Sequence, residues 1–344
     1  MSRRPSENLH IKRKYLLWLA DARGCSATTV DRAAASIDRY DGFNKAGDFG
    51  ALHAEKARAF KRHLEAARHP TTGKPLAAST VDGTLRDLKA FFSWLADQPR
   101  YRSRVSHSDA AYFSPSRKLA KSARGGVYRA HPSPDQVRHA IRCMPVNTVV
   151  ERRDRAILAT LFLTAARDGT LITLRLRNMD IAGACVNYEG PDIQTKFGKV
   201  STTWFFPVGD EVEQILRDWV TELQSDLLFG PDEPLFPKQT VGVGTGGSFE
   251  ATGLARTPWA NAAAVRDICK RAFVAAGLPP YTPHLMRKTL FDLANEHCTT
   301  LEQAKAWSQN MSHDDIMTTF RSYGTVAAGR QGELMARMRA KVDE

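Results

Sequence analysis

The stretch TPHLMRKTLF, residues 282–291, decides how this chain reads. It follows a Gly277-Leu278-Pro279-Pro280 turn and leads into an apolar helix. His284 and Arg287 are three residues apart, so a helix sets them one turn apart on one face. The start of that helix also points free backbone N–H groups at any anion brought there. Four H-x-x-[KR] patterns occur, at His10, His53, His139 and His284, and only the last sits between such a turn and an apolar run. Alone, the pair carries little chemistry. Its neighbours supply the rest.

Upstream, ILATLFLTAAR (157–167) is an apolar helix that ends in Arg167. An arginine there must find an anion or reach solvent. Lys196-Phe197-Gly198-Lys199 reads as a turn between two strand-like segments, Ile181 to Tyr188 and Trp204 to Val208, and Leu235-Phe236-Pro237 precedes a glycine-rich loop. Downstream, MSHDDIMTTFRSY (311–323) puts Tyr323 ten residues after His313. Two other patterns lead nowhere. Gly242-Val243-Gly244-Thr245-Gly246-Gly247 satisfies G-x-G-x-x-G, but the sequence predicts neither a strand before it nor a helix after it. His313-Asp314-Asp315 has no second ligand cluster at metal spacing, so no metal site is expected. Neither a nucleophile elbow nor a Walker loop is present.

With 344 residues, the chain is long enough for two domains at about 150 residues each. Its 42% hydrophobic and 25% charged residues fit a soluble globular protein. No apolar run approaches the roughly 18 residues of a membrane span, and MSRRPSENLHIKRKY lacks the apolar core of a secretory signal. Cys25, Cys143, Cys185, Cys269 and Cys298 are scattered and read as free thiols in a reducing cytosol. The formal net charge of +12 is unevenly spread. Residues 1–130 carry a net +13, and residues 131–344 a net −1. Arg100, Arg102, Arg104, Arg117, Lys118, Lys121, Arg124 and Arg129 face a single acid, Asp109, in their stretch. Cations clustered on one module suit a polyanion, above all nucleic acid.

Periodicity sets the domain limits. Residues 1–98 read as a bundle of about four helices, with Leu85, Leu88, Phe91, Phe92 and Leu95 inward on the last. Residues 99–129 lose that periodicity and read as an extended basic linker. Ser133-Pro134 then opens a second, mixed domain over 130–344.

The order Arg167, Lys196, His284-x-x-Arg287, His313, Tyr323 resembles the active-site order of the tyrosine recombinases, or phage integrases. TAARDGTLITLRLRNMDI, TKFGKV, LFP and SHDDIMTTFRSYG match the family's wording as well, and the helical bundle resembles its core-binding domain. The resemblance implies a mainly α fold with a small β-sheet in the second domain: a SAM-like helical bundle followed by a mixed α/β catalytic domain. It implies cleavage and rejoining of duplex DNA through a 3′-phosphotyrosyl link on Tyr323, without metal, ATP or other cofactor. Arg167 and Arg287 would clamp the phosphate, and His284 would accept the tyrosine proton. Lys196, or in its place Lys199, would protonate the leaving oxygen, and His313 would hydrogen-bond the phosphate. Thr80, Arg86, Lys89 and Arg124 are the expected DNA contacts. The implied partners are a double-stranded recombination site and three further copies of the chain, with C-terminal tails exchanged between protomers. Accessory DNA-bending proteins would join them, in a prokaryotic or phage-type cytoplasm at the nucleoid.

Departures from the family pattern stand at Ala165-Ala166 and Ser312, where glycine is usual, at Thr170 for a glutamate and at Lys288 for a histidine. The His313–Tyr323 interval is one residue longer than the commonest form. Two other readings stay open: a DNA-binding protein that kept the scaffold without catalysis, and a type IB topoisomerase-like nicking-closing enzyme.

Overall fold

Apolar positions at helical spacing in the first hundred residues fold into α1 (Arg4–Asp21), α2 (Ala27–Phe43), α3 (Ala54–Ala66) and α4 (Ala78–Ala96). The computed structural model describes residues 4–124, 130–190, 193, 200–243, 249–312 and positions 329, 331–333 and 335. It divides into two compact units, Met1–Arg129 and Ala130–Glu344.

The first unit is built on an aromatic core. Tyr40 of α2 meets Phe60, Phe92 and Phe113 edge-on at ring centroid distances of 5.0–5.7 Å. Each such buried ring contributes about 1.5–3 kcal/mol over leaving it in water. Asp87, buried on α4, accepts from both Arg32 and Ser36 and ties α2 to α4.

Residues 99–129 are not an extended linker over their described part. They form α5 (His107–Ala110), a 3₁₀ turn (Ala111–Phe113) and α6 (Arg117–Arg124). Tyr101, Val105, Ala110 and Phe113 are buried in the core of the first unit, and Phe113 stacks on Phe92 at 5.3 Å. The basic residues between and after these anchors, Arg102, Arg104, Arg117 and Lys118, face solvent, which hid the anchors from a composition-based reading.

The second unit begins at α7 (Pro134–Arg142), where Ser133 and Gln136 form a full capping box. α8 (Val149–Thr164), capped in the same way by Thr148 and Glu151, is buried on every side from Ala156 to Thr164 and forms the axis of this unit. The short α9 (Asp168–Leu171) follows. Next comes an antiparallel sheet in the order β1 (Met179–Asp180), β2 (Cys185–Tyr188), β3 (Ser201–Trp204), with Tyr188 opposite Ser201. The second strand expected over Trp204–Val208 instead ends at Trp204. Phe206 N then bonds to Leu163 O of α8 at 2.7 Å, which draws the chain out of the sheet.

α10 (Asp210–Thr221) covers α8. A hairpin follows, β4 (Gln239–Val243) with β5 (Phe249–Leu254). The expectation of a plain loop at the glycine-rich stretch is therefore corrected: a strand runs through Gly242, residues 244–248 lie outside the described residues, and a strand follows where a dinucleotide site needs a helix. α11 (Ala263–Ala275), α12 (Pro283–His297) and α13 (Leu301–Asn310) complete the unit. No helix among the described residues is long and apolar enough to cross a membrane.

Candidate active site

Arg167 and Arg287 come together where the ends of three helices meet. α8 stops at Ala165, whose backbone is left-handed at φ 52°. The reversed chain then presents Arg167 as the N-cap of α9. Arg287 reaches the same place from the second turn of α12. Its Nη1 donates to Ala165 O and its Nη2 to Met311 O, the carbonyl that closes α13. Both acceptors lie at helix C-termini, whose partial negative charge suits a buried cation. α13 is held in turn by Asn310, whose side chain pairs with both backbone groups of Trp204 on β3 (2.8 Å each).

The electrostatics follow from this packing. Burial first, then the Arg167 charge, pull the Arg287 guanidinium down to about 10, while the Tyr188 phenol pulls the other way. Arg287 is still protonated at neutral pH. Among the described residues no carboxylate pairs with Arg167. Asp168 is taken by Arg266 and Asp180 by Gly183 N, so the helix-end ion pair that Arg167 could have made is not formed. Two neighbouring guanidinium groups without a described counter-ion form a strongly anion-seeking pocket. His284 is exposed at the second position of α12, one turn before Arg287.

The three other expected catalytic groups, Lys196, His313 and Tyr323, lie outside the described residues, as does the alternative Lys199. The strands that bracket the lysine turn are β2, which ends at Tyr188, and β3, which begins at Ser201, and the charges of Arg287 and Arg167 both act on Tyr188. On the first unit, Thr80, Arg86 and Lys89 are exposed along α4. Arg86 pairs with Asp82 at 2.8 Å, and Lys89 donates to Ser114 at 3.0 Å. Arg124 ends α6, and its side chain lies outside the described residues. Sequence reasoning missed Arg32 and Arg39, exposed cations of α2 that bond to Asp87 and Thr84 beside the α4 face. Arg32, Ala35 and Arg39 recur at helical spacing on α2, and that was the available signal.

The two missing glycines now have an explanation. Ala165 (φ 52°) and Ser312 (φ 54°) both adopt the left-handed conformation that glycine takes without strain. The chain keeps the turn and bears the Cβ cost, about 1 kcal/mol per site. Ala165→Gly should therefore raise the thermal midpoint by about 3 °C, provided that the Arg287–Ala165 contact persists. A lower midpoint in differential scanning calorimetry would contradict the strain.

Comparison with known proteins agrees with this architecture. No family model matches the chain. The tyrosine recombinase XerC of Xylella fastidiosa (strain M23) is 23% identical over 309 residues, 89% of this chain and 88% of that protein. A lambda integrase dimer bound to a COC′ core site superposes with a TM-score of 0.61 at 14% identity, covering 91% of this chain and 94% of that one. The Tn1549 transposon integrase in complex with circular intermediate DNA gives 0.60 at 16% identity, covering 95% and 99%. The fold is that of the integrases, mainly helical with small sheets. In sequence the chain is similar to a tyrosine recombinase, and in fold to the integrases.

Proposed function

We propose that the protein is a site-specific DNA recombinase that cleaves and rejoins duplex DNA through Tyr323. The observation that carries this reading is the pair Arg167–Arg287, two cations held together in a half-buried pocket without a described carboxylate partner. Such a pocket fits a phosphodiester, whose two non-bridging oxygens match forked guanidinium donors. In the reaction, the Tyr323 oxygen attacks phosphorus while the bond to the 5′ oxygen breaks. His284 takes the phenol proton, and Lys196 or Lys199 delivers one to the leaving 5′ oxygen. His313 hydrogen-bonds the phosphate. The two arginines bind the charge that builds on the oxygens, each worth about 3 kcal/mol in the transition state. Tyrosine ionises near pH 10, so without a base it is about 0.1% reactive at neutral pH. The phosphotyrosyl ester conserves the energy of the broken bond, and attack by a 5′ hydroxyl reverses the step.

Contacts from Thr80, Arg86, Lys89 and Arg124 would position the duplex, mostly through its phosphates. A homo-tetramer on DNA, joined by exchange of the tails from Arg330 to Glu344, completes the reading. Accessory DNA-bending proteins and a cytoplasmic, nucleoid-bound location belong to the same proposal.

A suicide substrate nicked beside the scissile phosphate tests it. Wild-type protein should be trapped covalently on genomic fragments that share one site, and Tyr323→Phe should trap none. Trapping on any duplex would identify a topoisomerase-like enzyme, and no trapping a DNA-binding protein. Removal of residues 330–344 should leave trapping and DNA binding in place and abolish strand exchange. Full recombination by the truncated chain would end the tail-exchange proposal.

A further inference from the structure

α13 ends at Asn310, and the carbonyl that holds Arg287 Nη2 belongs to the next residue, Met311. Helix ends fray by a residue or so. A carbonyl one step past the end is therefore a poorly fixed acceptor unless something outside the helix holds it. Met311 and Arg287 stand 24 positions apart, so the chain itself does not hold them together. One tie comes from α12, where Leu290 O accepts from Trp307 Nε1 of α13 at 3.0 Å. The other comes from the sheet.

β3 is the edge strand of the order β1-β2-β3. At Trp204 both of its backbone groups meet the side chain of Asn310. Trp204 N–H donates to Asn310 Oδ1, and Asn310 Nδ2 donates to Trp204 O, both at 2.8 Å. A neighbouring strand would supply the same reciprocal pair, and a side-chain amide carries the acceptor and the donor it needs. The contacts go to the backbone while the Trp204 ring is itself exposed, so they do not depend on the side chain at that position. Thr203, buried beside it, donates its hydroxyl to Asn310 O at 3.1 Å. Three hydrogen bonds thus fix Asn310 on β3, and Met311 follows directly.

We propose that Asn310 is a positioning residue for Arg287: its amide bridges the edge of β3 at Trp204 and so fixes the end of α13, where Met311 O holds Nη2 of that arginine. The role rests on the recombinase reading given above, in which Arg287 binds the scissile phosphate. Asn310 is half-buried. In a variant without the amide, water can reach the Trp204 groups, and the fold survives with a loosened helix end.

Asn310→Leu keeps the volume and removes the bridge. At saturating suicide substrate it should be trapped about tenfold more slowly than wild type, with its DNA dissociation constant unchanged. Its thermal midpoint should fall by only about 3 °C. In an Arg287→Lys background the same substitution should leave the trapping rate nearly unaltered, because the guanidinium that Asn310 serves is gone. A merely structural role would slow both backgrounds alike. Asn310→Asp keeps the acceptor for Trp204 N–H and loses only the donor to Trp204 O. It should show the same pattern at smaller amplitude, and it decides the matter if the leucine variant fails to fold. The side-chain N–H resonances of Arg287, assigned by their absence in Arg287→Lys, should shift or broaden in both Asn310 variants. That spectrum needs no catalysis, so it judges Asn310 even if wild-type protein fails to trap and the recombinase reading falls. Unmoved Arg287 resonances, trapping by both variants at the wild-type rate, or equal slowing in the two backgrounds would overturn the proposal.

Discussion

Arg287→Lys should slow covalent trapping by a factor of about 10²–10³ and also lower the thermal midpoint. The two effects have one cause. On the proposed recombinase reading the guanidinium binds the scissile phosphate, and it also links the C-termini of α8 and α13 through Ala165 O and Met311 O. Lysine keeps the charge but offers a single ammonium, so it cannot span both carbonyls and face a phosphate as well. Loss of one charged hydrogen bond in a buried setting costs about 2 kcal/mol, or roughly 4–8 °C in a unit of this size. Arg167 is the control. Among the described residues it bonds to neither carbonyl, and its charge works against Arg287. Arg167→Lys should match the loss of trapping while leaving the midpoint unchanged or higher. Equal destabilisation by the two substitutions, measured by calorimetry, would show that the helix ends do not depend on Arg287.

The same residues show which parts of the site a sequence can display. His284 and Arg287 were legible because helical spacing alone places them together, and the turn at Gly277-Leu278-Pro279-Pro280 announces the helix that carries them. Arg167 was legible as an arginine at the end of an apolar helix. Its meeting with Arg287 was not, because the partners lie on elements joined only by tertiary packing, with Ala165 and Arg287 122 positions apart. The left-handed turns at Ala165 and Ser312 were invisible for a different reason. Alanine and serine carry no preference for that conformation, and only the surrounding packing imposes it. Backbone acceptors such as Met311 O are hidden in principle, since every residue has one. In the first unit, the charge count found the basic module but misjudged its last thirty residues. Tyr101, Val105, Ala110 and Phe113 anchor that stretch at uneven intervals that no single period describes.

The largest loss of stability should come from Arg153→Ala, about 3–5 kcal/mol. Arg153 lies wholly inside the catalytic unit on α8, the helix that delivers Arg167. It donates to Asp154 at 2.6 and 3.0 Å and to Pro237 O at 2.9 Å, and its guanidinium lies 4.7 Å from the centre of the Trp259 ring. Burial raises the Asp154 carboxyl pKa, and the Arg153 charge is the strongest effect holding it down. Without Arg153, that half-buried carboxylate keeps Arg271, at 3.9 Å, as its one remaining ion-pair partner among the described residues. The pH dependence then has a definite sign. A carboxyl whose native pKa lies above its unfolded value binds more protons when folded, so stability falls as pH rises through that interval. Removing Arg153 raises the native value further, and the deficit of the variant should be larger at pH 8 than at pH 5. The double substitution Arg153→Met with Asp154→Leu removes both charges and should recover most of the loss, because a buried pair seldom outperforms apolar side chains of similar volume. Denaturant unfolding of the single and double variants at the two pH values checks this. A double variant as unstable as Arg153→Ala would mean that the contacts to Pro237 and Trp259, rather than the charge of Asp154, set the stability of α8 and with it the placement of Arg167.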